Sequence, residues 1–154
     1  VGIHKKPFTI FKFRTMFVNA DKNGLLTIGM KDKRITKSGC FIRKYKLDEL
    51  PQLFNVLIGD MSFVGPRPEV QKYVNLYSDL QLKVFTVKPG ITDFASLKFS
   101  KENEILGRAK DPEAVYIREI MPLKLELNLK YIEERSFLTD LKIIFKTISG
   151  IVKT

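Results

Sequence analysis

Residues 46–68 read Lys46-Leu-Asp-Glu-Leu-Pro-Gln-Leu-Phe-Asn-Val-Leu-Ile-Gly-Asp-Met-Ser-Phe-Val-Gly-Pro-Arg-Pro68, and this stretch decides how the chain is understood. Leu50, Leu53, Phe54 and Leu57 recur at i, i+3, i+4 and i+7, which predicts a helix over about 50–58 with one apolar face. Pro51 suits its first turn and Gly59 its end. Asp48 and Glu49 then stand at or just before the helix N-terminus, where the positive end of the helix dipole favours anions. A short extended segment, 60–64, leads into Gly65-Pro66-Arg67-Pro68, whose prolines restrict the backbone around Arg67. Arg34, Lys37, Arg43, Lys44 and Lys46 crowd the approach. Two adjacent carboxylates able to hold a metal or act as nucleophile, among cations able to hold phosphate, point to phosphoryl-transfer chemistry.

Upstream, Phe8 to Met16 is rich in aromatic and β-branched residues and reads as a strand. Alternation puts Lys12 and Arg14 on one side, Phe11 and Phe13 on the other. Phe11, Phe13, Phe54 and Phe63 read as core. Residues 19–34 read as a polar loop. Ser38 is placed to cap a helix from about Gly39 to Tyr45, which sets Arg43 one turn before Lys46. Downstream, Val70, Tyr73, Val74 and Tyr77 mark a further helix, and Lys88-Pro89-Gly90 a turn. Helical patterning resumes at Asp111-Pro112 and runs, interrupted at Pro122, to about Glu134. In the last segment, 137–153, Leu138, Leu141, Ile144, Phe145, Ile148, Ile151 and Val152 share a stripe, with Lys142, Lys146 and Lys153 elsewhere. That is the pattern of a basic helix lying on a membrane surface. A helix packed on the core gives a similar stripe, and both hold if only part of it faces protein.

The chain has 154 residues, 44% of them hydrophobic, enough for one packed core and one domain over 1–154. Lys and Arg number 27 against 17 Asp and Glu, a net charge of +10 that attracts polyanions: nucleic acid, anionic lipid or nucleotides. A single cysteine, Cys40, makes no internal disulfide and fits a reducing compartment. One cysteine and one histidine argue against structural zinc. No apolar run is long enough for a membrane-spanning helix, and no signal peptide is visible. The chain starts at Val1-Gly2, as if in the middle of a motif, and reads as lacking an N-terminal segment. Gly-rich phosphate-binding loops are absent.

Each candidate has a plainer reading. Asp48 and Glu49 also suit simple helix-dipole complementation. Arg43 and Arg67 also suit surface ion pairs, and Lys12 and Arg14 the solvated face of a strand. Asp60 suits a metal ligand or a local cap, and His4 a solvated residue near the terminus. Arginine's planar fork favours bidentate phosphate binding at Arg67.

Five ordered motifs go further. They are Pro7 to Met16, Leu47 to Gly59, Asp60 to Pro68, Lys88 to Thr92 and Ser136 to Thr147. Together they resemble the bacterial sugar transferases, monotopic phosphoglycosyl transferases that load a phosphosugar onto a polyprenol phosphate. The resemblance implies a helix-rich α+β domain with a short strand element and amphipathic interfacial helices. It implies a monotopic, membrane-associated protein on the cytoplasmic face of the bacterial plasma membrane. It implies that a membrane-entering N-terminal helix precedes this sequence. It also implies that Asp48 is a covalent nucleophile, that Glu49 helps hold Mg²⁺, and that two substrates are used in turn. These are a nucleotide diphosphosugar, usually of uridine, and the polyprenol phosphate; no nucleic acid is involved. Arg43, Arg67, Lys12 and Arg14 are the expected phosphate-binding cations. One departure is visible: after Pro89-Gly90-Ile91-Thr92, where the family usually has glycine, stand Asp93, Phe94, Ala95 and Ser96, so donor preference does not carry over from that loop. Two other classes stay open. A nucleic-acid-binding module would explain the charge but lacks a recognition motif. A noncatalytic lipid-surface protein would keep the fold without turnover.

Overall fold

The computed structural model describes residues 1–20 and 32–152. Two three-residue strands, β1 (Ser62–Val64) and β2 (Gly90–Thr92), pair in parallel, with Ser62 opposite Gly90 and Val64 opposite Thr92. The backbones close this tightly because glycines meet. A Cβ on Gly65 would stand 2.4 Å from the Lys88 carbonyl oxygen, and one on Gly90 would stand 2.1 Å from the Gly65 nitrogen. Gly65 N–H donates to the Thr92 carbonyl at 3.0 Å and Gly90 N–H to the Pro66 carbonyl at 3.1 Å. Pairing therefore runs past β1 into the Gly-Pro-Arg-Pro turn and sets where Arg67 leaves the strand.

Helices make up the rest of this α+β architecture. α1 (Lys37–Lys44), a 3₁₀ turn (Leu47–Glu49) and α2 (Gln52–Leu57) precede β1. α3 (Gln71–Val74) and a 3₁₀ segment (Gln81–Thr86) connect the strands. After β2 come α4 (Phe94–Lys98), α5 (Glu102–Arg108), α6 (Pro112–Val115), α7 (Met121–Glu134) and α8 (Phe137–Val152). The main core joins Tyr73, Val74, Val84 and Phe85 to Leu106, Tyr116, Ile120, Met121 and Leu125. A smaller cluster of Val64, Tyr131 and Ile143 ties β1 to α7 and α8. The expected break at Pro122 is instead a π-helical turn, Tyr116–Ile120, between α6 and α7. A wider turn accommodates the ring and the missing donor without ending the helix.

α2 is turned opposite to its expected sense. Its buried residues are polar, Gln52 at 3% and Asn55 at 0% exposure, while Phe54 is 63% and Leu57 80% exposed. Phe11, Phe13 and Phe63 are also exposed, so none of the four phenylalanines read as core is buried. The reason lies in segment 8–16. It carries strand-like residues, but among the described residues its one bridge is Met16 to Ile35, and no ladder forms. Its backbone finds partners from a helix flank. Phe11 N–H donates to Asn55 Oδ1 at 3.0 Å, and Asn55 Nδ2 donates to the Thr9 carbonyl at 2.8 Å. Phe13 N–H donates to the Asp48 carbonyl and Thr36 N–H to the Thr15 carbonyl, both at 3.0 Å. Asn55 can serve the segment only from the inner face of α2, which leaves the leucines and Phe54 outside.

Other expectations shift less. α1 is capped by Thr36, whose hydroxyl accepts from Gly39 N–H at 2.9 Å, and not by Ser38. Most of the expected loop over 19–34 lies outside the described residues. In α8 the stripe divides, Leu141 and Ile144 being half-buried. The fully buried residue is Ile143, outside the expected stripe, and the Thr147 and Thr92 hydroxyls share a hydrogen bond of 2.7 Å. Leu138, Phe145 and Ile148 face outward. Among the described residues no helix is long and apolar enough to cross a membrane.

Replacing Asn55 tests this arrangement. Asn55→Ala leaves the Phe11 N–H and the Thr9 carbonyl unpaired, and an expected loss of about 1–3 kcal/mol follows from orphaning such groups. Urea unfolding of the two proteins measures it; equal midpoints would show that the segment is held by other contacts.

Candidate active site

Lys46 adopts a left-handed conformation, φ 53° and ψ 23°, between α1 and the 3₁₀ turn. This costs a non-glycine residue on the order of 1 kcal/mol and turns the chain sharply. Leu47 to Glu49 form the single turn that follows, and Pro51 then starts α2. The two carboxylates are thereby presented ahead of the helix, close to where sequence spacing put them.

Their surroundings differ. Glu49 is clamped: Arg67 Nη2 donates to Oε1, Arg67 Nη1 donates to Oε2 at 3.4 Å, and Lys12 Nζ stands 3.4 Å from Oε1. Burial alone would raise its pKa, but the charge and hydrogen bonds of Arg67, with Lys12 and Lys46, hold it down at about 2. No side chain hydrogen-bonds Asp48 among the described residues; its own backbone N–H and the charges of Lys12 and Arg43 favour its anion. Burial, then the charge of Glu49, outweigh them and push Asp48 above the usual carboxylate range. Burial and the charge of Arg67 likewise lower the Lys12 ammonium, against the pull of Glu49 and Asp48.

Arg67 is fixed at both ends. Its backbone N–H donates to Asp93 Oδ2 at 3.3 Å, while Asp93 Oδ1 caps α4 by accepting from Ser96 N–H at 2.6 Å. Asp93 is fully buried. The residue that departs from the family pattern thus supports the arginine. Its spacing to Ser96 is an N-cap signal that sequence reading passed over.

The structure brings Lys12, Arg43, Asp48, Glu49 and Arg67 near one another. Arg14 does not: it is exposed and bonded to neither carboxylate. Its expected place beside Lys12 followed from strand alternation, and the segment is not a strand. Arg34 is engaged by Asp32, at 2.7 Å from Nη2 to Oδ2. His4 is exposed. Beside Lys12, the aromatic rings of Phe11, Phe13 and Phe54 with Pro51 and Ile58 form an open apolar groove.

Metal binding has a narrow basis. No cluster of three or more His, Cys, Asp or Glu side chains forms among the described residues. Mg²⁺ commonly takes only one or two protein carboxylates, with phosphate oxygens and water completing its shell. The Asp48–Glu49 pair fits that demand, with Arg67 and Lys12 sharing the Glu49 oxygens.

The family described as bacterial sugar transferase matches residues 1–154. A Bacillus subtilis protein described as uncharacterized sugar transferase EpsL is 42% identical over 151 residues, covering 98% of this chain and 66% of that protein. A UDP-N-acetylgalactosamine-undecaprenyl-phosphate N-acetylgalactosaminephosphotransferase of Aeromonas hydrophila is 37% identical, over 99% of this chain and 34% of its own length. A UDP-glucose:undecaprenyl-phosphate glucose-1-phosphate transferase of Klebsiella pneumoniae is 39% identical, over 96% of this chain and 30% of its own. The chain thus spans between 30% and 66% of the length of these relatives.

The clamp on Glu49 carries a pH signature. Because Glu49 ionises more readily folded than unfolded, its pairing contributes fully above the unfolded value of about 4.5 and is lost as pH falls toward 2. Glu49→Gln should flatten the fall in stability between pH 4.5 and 2. Denaturation curves across that range with the same slope in both proteins would contradict the clamp.

Proposed function

The chain belongs to the bacterial sugar transferase family, and from that premise we propose that it moves a phosphosugar from a uridine diphosphosugar to a polyprenol phosphate through an aspartyl intermediate. The observation that carries this reading is the inequality of the two acids. Glu49 is held by two cations, while Asp48, partly buried, has among the described residues no side-chain hydrogen bond to break before it attacks.

A carboxylate oxygen of Asp48 attacks the sugar-bearing phosphorus, and the bond from that phosphorus to the bridging oxygen breaks. The nucleoside monophosphate leaves with the electron pair, and an acyl phosphate remains on the protein. A phosphate oxygen of the polyprenol phosphate then attacks the same phosphorus. The bond to Asp48 breaks, the carboxylate is restored, and a polyprenyl diphosphosugar departs. Negative charge on the transferring group repels an anionic nucleophile, so Arg67 and Lys12 lower the barrier by offsetting it. Arg43 keeps Asp48 more acidic than burial alone would allow. Mg²⁺, held by Glu49 with Asp48 beside it, would supply further charge neutralisation when bound.

Apolar surface supports a seat at the lipid boundary, which this reading places on the cytoplasmic face of the plasma membrane. Leu53, Phe54 and Leu57 on α2, Ile58 just after it, and Leu138, Phe145 and Ile148 on α8 are all exposed. Exposed apolar area of this kind marks interaction with a partner or a membrane. The net charge of +10 adds attraction to anionic headgroups.

Turnover with a donor labelled in its β-phosphate should leave label on the protein, and Asp48→Asn should abolish it. Label retained by that variant, or mapped by mass spectrometry to another residue, overturns the nucleophile assignment. Arg67→Lys should slow transfer on the order of a hundredfold, because one ammonium cannot replace a two-pronged donor; an unchanged rate would reduce Arg67 to a surface charge. Phe54→Glu with Leu57→Glu should weaken sedimentation with anionic vesicles while the melting temperature stays put, and undiminished co-sedimentation would remove α2 from the lipid contact.

A further inference from the structure

Arg67 also lines a second cavity, of about 170 Å³. Water takes about 30 Å³ in the liquid, so several waters or one small ring fit. Its walls include Arg67, Glu69, Glu102, Tyr116, Lys124 and Asn128. Most of these polar groups are already paired. The Tyr116 hydroxyl donates to Glu69 Oε2, and Lys124 Nζ donates to Glu102 Oε2 at 2.9 Å. Asn128 is the exception: it is 5% exposed, and its Oδ1 has no hydrogen-bond partner. A buried acceptor left unpaired is costly and uncommon in native proteins.

We propose that this cavity receives the hexose ring of the donor and that Asn128 Oδ1 accepts from one of its hydroxyl or amide groups, which makes Asn128 a determinant of sugar choice. The proposal rests on the phosphosugar-transfer reading above. Connectivity is the first argument. The sugar is attached through a single oxygen to the phosphorus that Asp48 attacks, so it must lie close to the group that neutralises that phosphate. Arg67 is that group, and it forms a wall of the cavity. The nucleoside lies further away, beyond the departing oxygen. Chemistry is the second argument. Acceptors on Glu69, Glu102 and Asn128, with donors on Arg67 and Lys124, suit a ring bearing several hydroxyls. A base needs an aromatic face to stack on, and the tyrosines at this wall are already engaged with other groups. Tyr116 packs on Tyr73 with ring centroids 5.0 Å apart, and Lys124 Nζ stands 5.4 Å from the centre of the Tyr116 ring. Tyr77, which also borders the cavity, stacks on Phe85 at 6.0 Å.

The test compares the wild-type protein with Asn128→Ala and Glu102→Gln. The probes are UDP-glucose, UDP-galactose, their two N-acetylhexosamine counterparts and UMP. Affinity is measured by calorimetry and intermediate formation by β-phosphate label, with melting temperature confirming that each variant folds. The expected result is a change of at least tenfold in the ratio between the best and worst sugar, with UMP affinity altered less than twofold. A parallel loss of UMP and nucleotide-sugar affinity with unchanged ranking would place the nucleoside in the cavity and overturn the proposal. Folded variants with no change in any affinity would overturn it too, leaving a water-filled void. Sugar-dependent binding that responds to Asn128 in a protein that never forms the labelled intermediate would keep the cavity assignment and sink the transfer mechanism instead.

Discussion

The fully buried amide of Asn55 sets the arrangement on which the site depends. One side chain both accepts from and donates to the extended segment at 9–11, and it does so from the inside of a six-residue helix. Two consequences follow from that geometry. Lys12, the next residue along the segment, is delivered to within 3.4 Å of Glu49. The apolar side of α2 is turned to the outside, because a helix that buries its amides cannot bury its leucines on the same face. Site assembly and surface character are thus two outcomes of one docking.

Neighbours in sequence, Asp48 and Glu49 have been given different electrostatic lives. Glu49 meets a guanidinium whose backbone is anchored by Asp93, and it stays ionised far into acid. Asp48 is partly buried beside that negative charge, with its cations at longer range. A nucleophile gains from weak solvation and loses from tight pairing, which is why the proposed mechanism gives attack to Asp48 and leaves Glu49 as the fixed partner of the cations.

Much of the site was legible because its residues sit in short, ordered motifs whose spacing survives any error in secondary structure. The grouping of Asp48, Glu49 and Arg67 was legible that way. Arg14 was misplaced because its assignment borrowed the two-residue period of a strand, and the segment has no neighbouring strand to enforce that period. Phe54 was misread because an apolar helical stripe reports amphipathicity without saying which face is inside. Only the buried Asn55, invisible as a polar interruption in an apolar run, resolves that sign. The short helices α4 and α5 passed unseen, since five to seven residues give too few turns for a pattern to repeat. Asn128 left no trace at all in the sequence, because an unpaired atom exists only once the fold has gathered its surroundings.

The hydroxyl contact between Thr147 and Thr92 joins the long terminal helix to β2, and β2 is paired through Gly65 and Pro66 to the turn that launches Arg67. Such a linkage works as a depth gauge. Wherever the outer side of that helix comes to rest, the guanidinium is carried at a set elevation above it. Elevation is then inherited from covalent and hydrogen-bonded spacing rather than searched for anew at each encounter.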